Sequence, residues 1–241
     1  TFGGRGSEEG ISIIQTNDGG FTFAGYTNSV DNNTLDVYVV HTNSKGETLW
    51  AKNYGGSGID RAYSILQTND AGYIICGETY SFECGGVNAY LLRINEKGDT
   101  LWSNHFGGNG IEEGRSVCMT SDGGFIVTGA TNSFDGGDYD IYLIKVDKDG
   151  KILWTQTYGG TGNEQGMSVI ETDDSSYAIA GYTESYGTGR LDAYLVVTDR
   201  NGNVNWSKTY GGIYDDFGAS LQETAGGGFI LTGYSNSFDN S

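Results

Sequence analysis

An all-β fold built from repeated four-stranded antiparallel units is what this sequence predicts, on three observations. Trp50, Trp102, Trp154 and Trp206 are the four tryptophans, each 52 residues from the next without insertion or deletion. Every copy alternates short apolar segments with Gly-rich turns, and no segment sustains a 3.6-residue apolar period, so no helix is expected. The third apolar segment is apolar on both faces: in 140–146, Ile141 and Leu143 lie on one side and Tyr142, Ile144 and Val146 on the other. A strand buried on both sides belongs to a sheet packed between neighbours. Four-stranded units of this length stacked face to face are propeller blades, whereas a β-helix wants a shorter coil and a sandwich does not repeat. The expected fold is therefore a β-propeller, with about 4.6 repeats present.

The copies run 1–50, 51–102, 103–154, 155–206 and 207–241, in a single propeller domain or part of one. The first strand is the 11–16 or 116–120 type of segment. It ends in an Asp-Gly-Gly turn, as at Asp18-Gly19-Gly20 and Asp122-Gly123-Gly124, a hairpin signal because Gly accepts positive φ without steric cost. The second strand is expected at 21–25, 73–77, 125–129, 177–181 and 229–233. A variable loop of about eight residues leads to the third strand. A turn such as 147–150 then leads to the fourth, which carries the Trp and runs into Tyr-Gly-Gly. Burying a Trp removes ~150–250 Å² from water and contributes up to ~4–6 kcal/mol, which marks one Trp per copy as an anchor between blades. The repeat phase opens at the tail of a fourth strand and stops after the second strand of copy five. That phase predicts part of a longer chain with more blades. The alternatives are five blades with a thin last one, or closure through a partner chain. Open ends expose strand edges and apolar faces and invite self-association.

Composition excludes several function classes. With 13 basic and 31 acidic residues the formal net charge is −18, so no basic patch is available to displace counterions from nucleic acid. Such acidity keeps an exported protein soluble. No apolar run reaches the ~18–20 residues of a membrane span. Cys76, Cys84 and Cys118 occupy three different repeat positions and read as small buried residues, a Cys76–Cys118 disulfide being the alternative. Asn32-Asn33-Thr34 and Asn205-Trp206-Ser207 match glycosylation sequons, which Asn-rich repeats produce by chance. For the absence of Pro we have no physical account.

The succession Tyr-Gly-Gly-x-x-x-(Asp/Glu), Asp-Gly-Gly-(Phe/Tyr), Gly-x-Thr, Asp-x-Tyr-Leu-x-Lys-x-Asp and Gly-x-x-x-Trp resembles the repeats of secreted bacterial and archaeal β-propeller proteins. The resemblance covers the whole chain and implies an extracellular or cell-surface location; it implies little about activity. The sequence departs from the pattern at His41 and Val197, where copy three has Lys145.

Two residue sets are candidates for function. The first is the repeated acid Glu8, Asp60, Glu112, Glu164 and Asp216, each four residues before a Ser (Ser12, Ser64, Ser116, Ser168, Ser220). In an extended strand that spacing puts acid and Ser on one face. The structural reading has the carboxylate accept hydrogen bonds from that hydroxyl or from the Gly-Gly N–H groups. The alternative is a ring of carboxylates holding a hard cation such as calcium. The second set lies in the loop after the second strand, whose third residue is Val30, Phe82, Phe134, Tyr186 or Phe238. One aromatic per blade suits a glycan or protein ligand, or else seals the blade end. Asp135 and Asp138, within Asp-Gly-Gly-Asp-Tyr-Asp, are further candidate ligand or calcium residues. Catalysis has thin support. His41 and His105 are not equivalent, and neighbouring acids such as Glu8-Glu9 and Glu112-Glu113 point to opposite strand faces, so no catalytic residue is assigned. The expected function is a non-catalytic extracellular recognition, adhesion or scaffold module that contacts protein or glycan through its loop face, with no cofactor beyond calcium. A glycan-binding or glycan-active propeller and a surface-layer or filament subunit are the alternatives.

Overall fold

The computed structural model describes residues 2–29, 34–82, 86–134 and 138–237. Among these, the chain is all-β, a propeller of four-stranded antiparallel blades. Blade 1 is β1 (Glu8–Gln15), β2 (Phe21–Thr27), β3 (Asp36–Thr42) and β4 (Thr48–Tyr54). Blade 2 is β5 (Asp60–Gln67), β6 (Tyr73–Thr79), β7 (Asn88–Ile94) and β8 (Thr100–Phe106). Blade 3 is β9 (Glu112–Met119), β10 (Phe125–Thr131), β11 (Asp140–Val146) and β12 (Ile152–Tyr158). Blade 4 is β13 (Glu164–Glu171), β14 (Tyr177–Thr183), β15 (Asp192–Thr198) and β16 (Val204–Tyr210). A fifth sheet holds β17 (Asp216–Glu223) and β18 (Phe229–Ser235). No helix among the described residues is long and apolar enough to cross a membrane. The chain divides into two compact units, Thr1–Gly114 and Arg115–Ser241.

The first strand begins three or four residues earlier than its apolar pattern suggests, at Glu8 and Glu112, because a β-bulge keeps it paired. Between Gly10 and Ser12, and at the matching places in β5, β13 and β17, the register slips by one residue. The bulge presses the carbonyl of residue 9, 61, 165 or 217 onto the Gly across the ladder. A Cβ at Gly25, Gly77, Gly181 or Gly233 would overlap that oxygen, which accounts for the Gly of the Gly-x-Thr motif.

The third strands β7, β11 and β15 are buried along their whole length, as the two-faced apolar pattern requires. In unit 1, Val37 and Val39 of blade 1 pack with Ala62, Ile65 and Ile75 of blade 2. In unit 2, Ile141 and Leu143 of blade 3 pack with Val169 and Ile179 of blade 4, and Leu195 and Val197 with Leu221 of the fifth sheet. Three of the tryptophans, Trp50, Trp154 and Trp206, bridge sheets. Trp50 stands edge-on to Tyr73 of blade 2 at 6.0 Å, and its Nε1–H donates to the Glu96 carbonyl at 3.1 Å. Trp154 meets Tyr177 at 5.8 Å and Trp206 meets Phe229 at 6.0 Å. They are only half-buried, and Trp206 is 42% exposed, so each contributes less than full burial would give. The Tyr of Tyr-Gly-Gly adds a second bridge: the Tyr54 and Tyr158 hydroxyls donate to the Gly98 and Gly202 carbonyls of the next blade, both at 2.7 Å. Burial pushes both phenols above the usual tyrosine range. Cys76 is buried on β6 and Cys118 half-buried on β9, neither in a disulfide; Cys84 lies outside the described residues.

Candidate functional site

The five repeated acids open the first strand of each sheet, and every one of them staples the loop end of its blade. Glu8 accepts from the Gly4 N–H at 3.2 Å, from the Thr27 hydroxyl at 2.9 Å and from the Ser29 hydroxyl. Asp60 accepts from the Gly56 N–H at 2.9 Å and from the hydroxyls of Thr79 and Ser81. Glu112 takes the Gly108 N–H at 2.8 Å. Glu164 takes the Gly160 N–H at 2.8 Å, the Thr183 hydroxyl at 2.6 Å and the Ser185 N–H at 3.0 Å. Asp216 takes the Gly212 N–H at 2.9 Å and the Ser237 hydroxyl at 2.6 Å. The Ser29 hydroxyl and Gly4 N–H hold the Glu8 carboxyl below its usual range. Burial raises Asp216, but the Ser235 and Ser237 hydroxyls and the Gly212 N–H outweigh it. The first Gly of the motif is there for room: a Cβ on Gly211 would lie 2.5 Å from carboxylate oxygens of both Asp192 and Asp216.

One expectation about this set is corrected. Acid and following Ser do not share a face, because the bulge between them inverts the strand parity. Ser12 instead accepts the Ile65 N–H at 3.3 Å, Ser116 that of Val169 at 3.3 Å, and Ser168 that of Leu221 at 3.2 Å. The acid's hydroxyl partners come from the Thr-x-Ser that follows the second strand. Among the described residues, no group of three or more His, Cys, Asp or Glu side chains is placed to hold a metal ion.

The loop aromatics turn back onto their own third strands. Phe82 stacks on His105 at 4.9 Å and 6° and lies 6.0 Å from Tyr90. Phe134 rests on Tyr142 at 5.5 Å, and Tyr186 on Tyr194 at 5.6 Å with its hydroxyl donating to the Gly159 carbonyl. Their outer faces stay accessible, with Phe134 49% and Tyr186 44% exposed. Val30, Asp135 and Phe238 lie outside the described residues; Asp138 is described and exposed.

At the opposite end of the strands lies a feature that was only half-legible. The Asp of each Asp-Gly-Gly-type turn faces a residue of the third strand. Buried Arg93 pairs with Asp70, and buried Lys145 sits 2.8 Å from Asp122. In blade 1 the slot holds His41, whose Nε2 is 3.3 Å from Asp18 and whose Nδ1 is 2.9 Å from the Thr22 hydroxyl. In blade 4 it holds Val197. Space explains the exchange: a Cβ on Gly72 would lie 2.5 Å from Arg93, and one on Gly124 2.7 Å from the Lys145 ammonium. Blade 4 carries Ser176 at that position, so the Cβ takes the cation's place, and the Ser176 N–H donates to Asp174 at 3.1 Å. A second set that breaks the repeat lies in unit 1, on the first two strands of blade 1 (β1, β2) and of blade 2 (β5, β6). There Arg61 pairs with Glu78 and sits over the Tyr26 ring at 5.6 Å, while the Tyr26 hydroxyl donates to Glu9.

No family model matches the chain. The regulatory protein FlaEY of Caulobacter vibrioides is 27% identical over 139 residues, covering 51% of this chain and only 14% of that relative. Among solved structures, a Bifidobacterium bifidum s17 protein provisionally assigned as an exo-β-1,3-galactanase superposes with a TM-score of 0.50 at 14% identity, over 86% of this chain and 74% of that one. The endo-arabinase of Bacteroides thetaiotaomicron VPI-5482 gives 0.47 at 12% identity, over 96% and 90%. These likenesses concern the fold.

Proposed function

We propose that this chain is a non-catalytic recognition module, exported to the cell surface or beyond, that contacts protein or glycan through the loop end of its blades. The observation that carries the reading is the acid staple. Each repeated carboxylate is consumed in holding its loop to its sheet, and Phe134 and Tyr186 stand half-exposed on loops fixed this way. Rigid aromatic side chains lose little entropy on contact and dominate recognition surfaces. The test is a glycan array and a parallel capture of surface proteins, in calcium buffer and again with chelator. Saturable binding weakened at least ~10-fold by Phe134→Ala or Tyr186→Ala supports the reading. Binding indifferent to both changes removes the loop face from it.

A glycan-active enzyme is the second reading, favoured by one observation: Glu78 stands where the other copies have Tyr26, Ala130, Tyr182 and Tyr234, and an acid unique to one copy is what asymmetric chemistry needs. Glu78 is buried against Arg61. Glycan hydrolysis abolished by Glu78→Gln, with the fold intact, would replace the non-catalytic reading.

A further inference from the structure

The slot that holds Lys145 in blade 3 and His41 in blade 1 opens onto a groove bounded by the Trp of one blade and the second strand of the next. The two grooves differ in size although the backbone repeats. Beside Trp154 and Tyr177 it encloses about 270 Å³, and beside Trp50 and Tyr73 about 710 Å³. The side chains account for the difference: Lys145, Arg200 and Glu171 of the smaller groove are replaced by His41, Glu96 and Gln67. The cations Lys145 and Arg200 are gone, and Lys97 stands where the smaller groove has Asn201. What remains is a floor of Trp50 and Tyr73 with the His41 ring 5.5 Å from one and 6.2 Å from the other. Leu49, 56% exposed, forms an apolar wall, and Asp18, Glu96 and Lys97 stand at the rim.

We infer that this groove binds one ring of a neutral saccharide, at a site separate from the loop face. The volume falls within the ~300–1,000 Å³ of small-molecule sites, and an aromatic floor with few polar groups is their usual make-up. Aromatic and aliphatic surface receives the C–H face of a sugar ring. A rim carrying both carboxylates and an ammonium matches hydroxyl groups, which donate and accept alike. A cationic ligand would meet Lys97, and an anionic one Asp18 and Glu96. Because the groove sits at the turn end of the strands, changes at the loop end leave it untouched.

The experiment follows the indole N–H signals of the four tryptophans in the ¹⁵N-labelled full chain while D-glucose, D-galactose, D-mannose and N-acetylglucosamine are added separately. The Trp50 signal is assigned by its loss in Trp50→Phe. We expect at least one sugar to move the Trp50 signal saturably and leave Trp154 in place. His41→Arg refills the groove the way Arg93 fills its slot in blade 2, and Gly20 leaves room for it. That variant should melt no lower than the parent yet bind at least ~10-fold more weakly. Leu153→Ala, at the matching place in the blade 3 groove, should bind the sugar unchanged, which confines the effect to the Trp50 groove. The inference is overturned if no sugar moves Trp50 saturably up to about 100 mM, or if His41→Arg binds as tightly as the parent.

Discussion

Removing the exposed partner of the Lys145–Asp122 pair should cost more than removing the buried one. Lys145 is 2% exposed, and its ammonium donates to Asp122 at 2.8 and 3.0 Å, to the Thr120 hydroxyl at 3.1 Å and to the Val146 carbonyl at 3.2 Å. Asp122 keeps 56% of its side chain in solvent. Asp122→Asn therefore strands a charge among two neutral acceptors. Breaking a buried pair this way costs ~3–5 kcal/mol; water entering along the exposed side trims the figure here to about 2–3 kcal/mol. Lys145→Met removes the buried charge itself and leaves a carboxylate that water, Thr120 and the Gly124 N–H still satisfy, at a cost of about 0–1 kcal/mol. The double variant should resemble Lys145→Met, giving a coupling of about 2 kcal/mol in a urea-unfolding cycle. The acid limb supplies an independent check. Burial raises the Asp122 carboxyl, but the Lys145, Thr120 and Gly124 hydrogen bonds outweigh it and bring it down to about 2. A depressed carboxyl stabilises the fold above its unfolded value near ~4 and loses that contribution as pH falls to about 2. The parent should weaken through this window more steeply than Asp122→Asn. Equal costs for the two single variants, or a costlier Lys145→Met, would refute the placement of the buried charge.

Three further outcomes follow from the same geometry. Val197→Lys should destabilise blade 4 by about 1–3 kcal/mol, because the Ser176 Cβ occupies the ammonium's place, and adding Ser176→Gly should restore most of the loss in thermal melts. Asp60→Asn, at a fully buried carboxylate that accepts from Gly56, Thr79 and Ser81, should cost about 2–3 kcal/mol by chemical denaturation. Tyr63→Phe, on the same strand, is the comparison and should cost less. Gly77→Ala should cost at least ~1–3 kcal/mol by the same measurement, since its Cβ would run into the Arg61 carbonyl.

Much of the fold was legible because its causes are periodic. The alternation in 140–146 states directly that β11 is covered on both faces, and the Asp-Gly-Gly turns state where hairpins close. The bulge was not legible. Nothing in Glu8–Gln15 marks the extra residue, and its trace is the Gly on the opposite strand, far along the chain. Missing it reversed the face assigned to Ser12 and hid the true partners of Glu8, Thr27 and Ser29. The aromatic loops were read correctly in position, but whether a ring lies down on Tyr142 or stands free is a packing outcome that spacing does not carry.

A repeat protein supplies its own comparison, because each copy holds the backbone nearly constant while side chains vary. A residue present in every copy answers to the fold: the acids, found in all five, are spent on Gly-Gly N–H groups and hydroxyls. A residue that changes while its surroundings persist needs a different explanation, and two cases exist. At Val197 the change is compensated in part inside the blade: Ser176 fills space the cation would take, and the groove beside Trp206 and Phe229 measures about 400 Å³. At His41 it is not: the facing Gly20 is retained, the next blade contributes Glu96 in place of the Arg200 of the smaller groove, and the groove opens to about 710 Å³. Partial compensation points to drift under a packing constraint, whereas the widest of these three openings beside a Trp is the one with most room for a ligand. That contrast places the search for a ligand at the turn end of blades 1 and 2 as well as at the loop face.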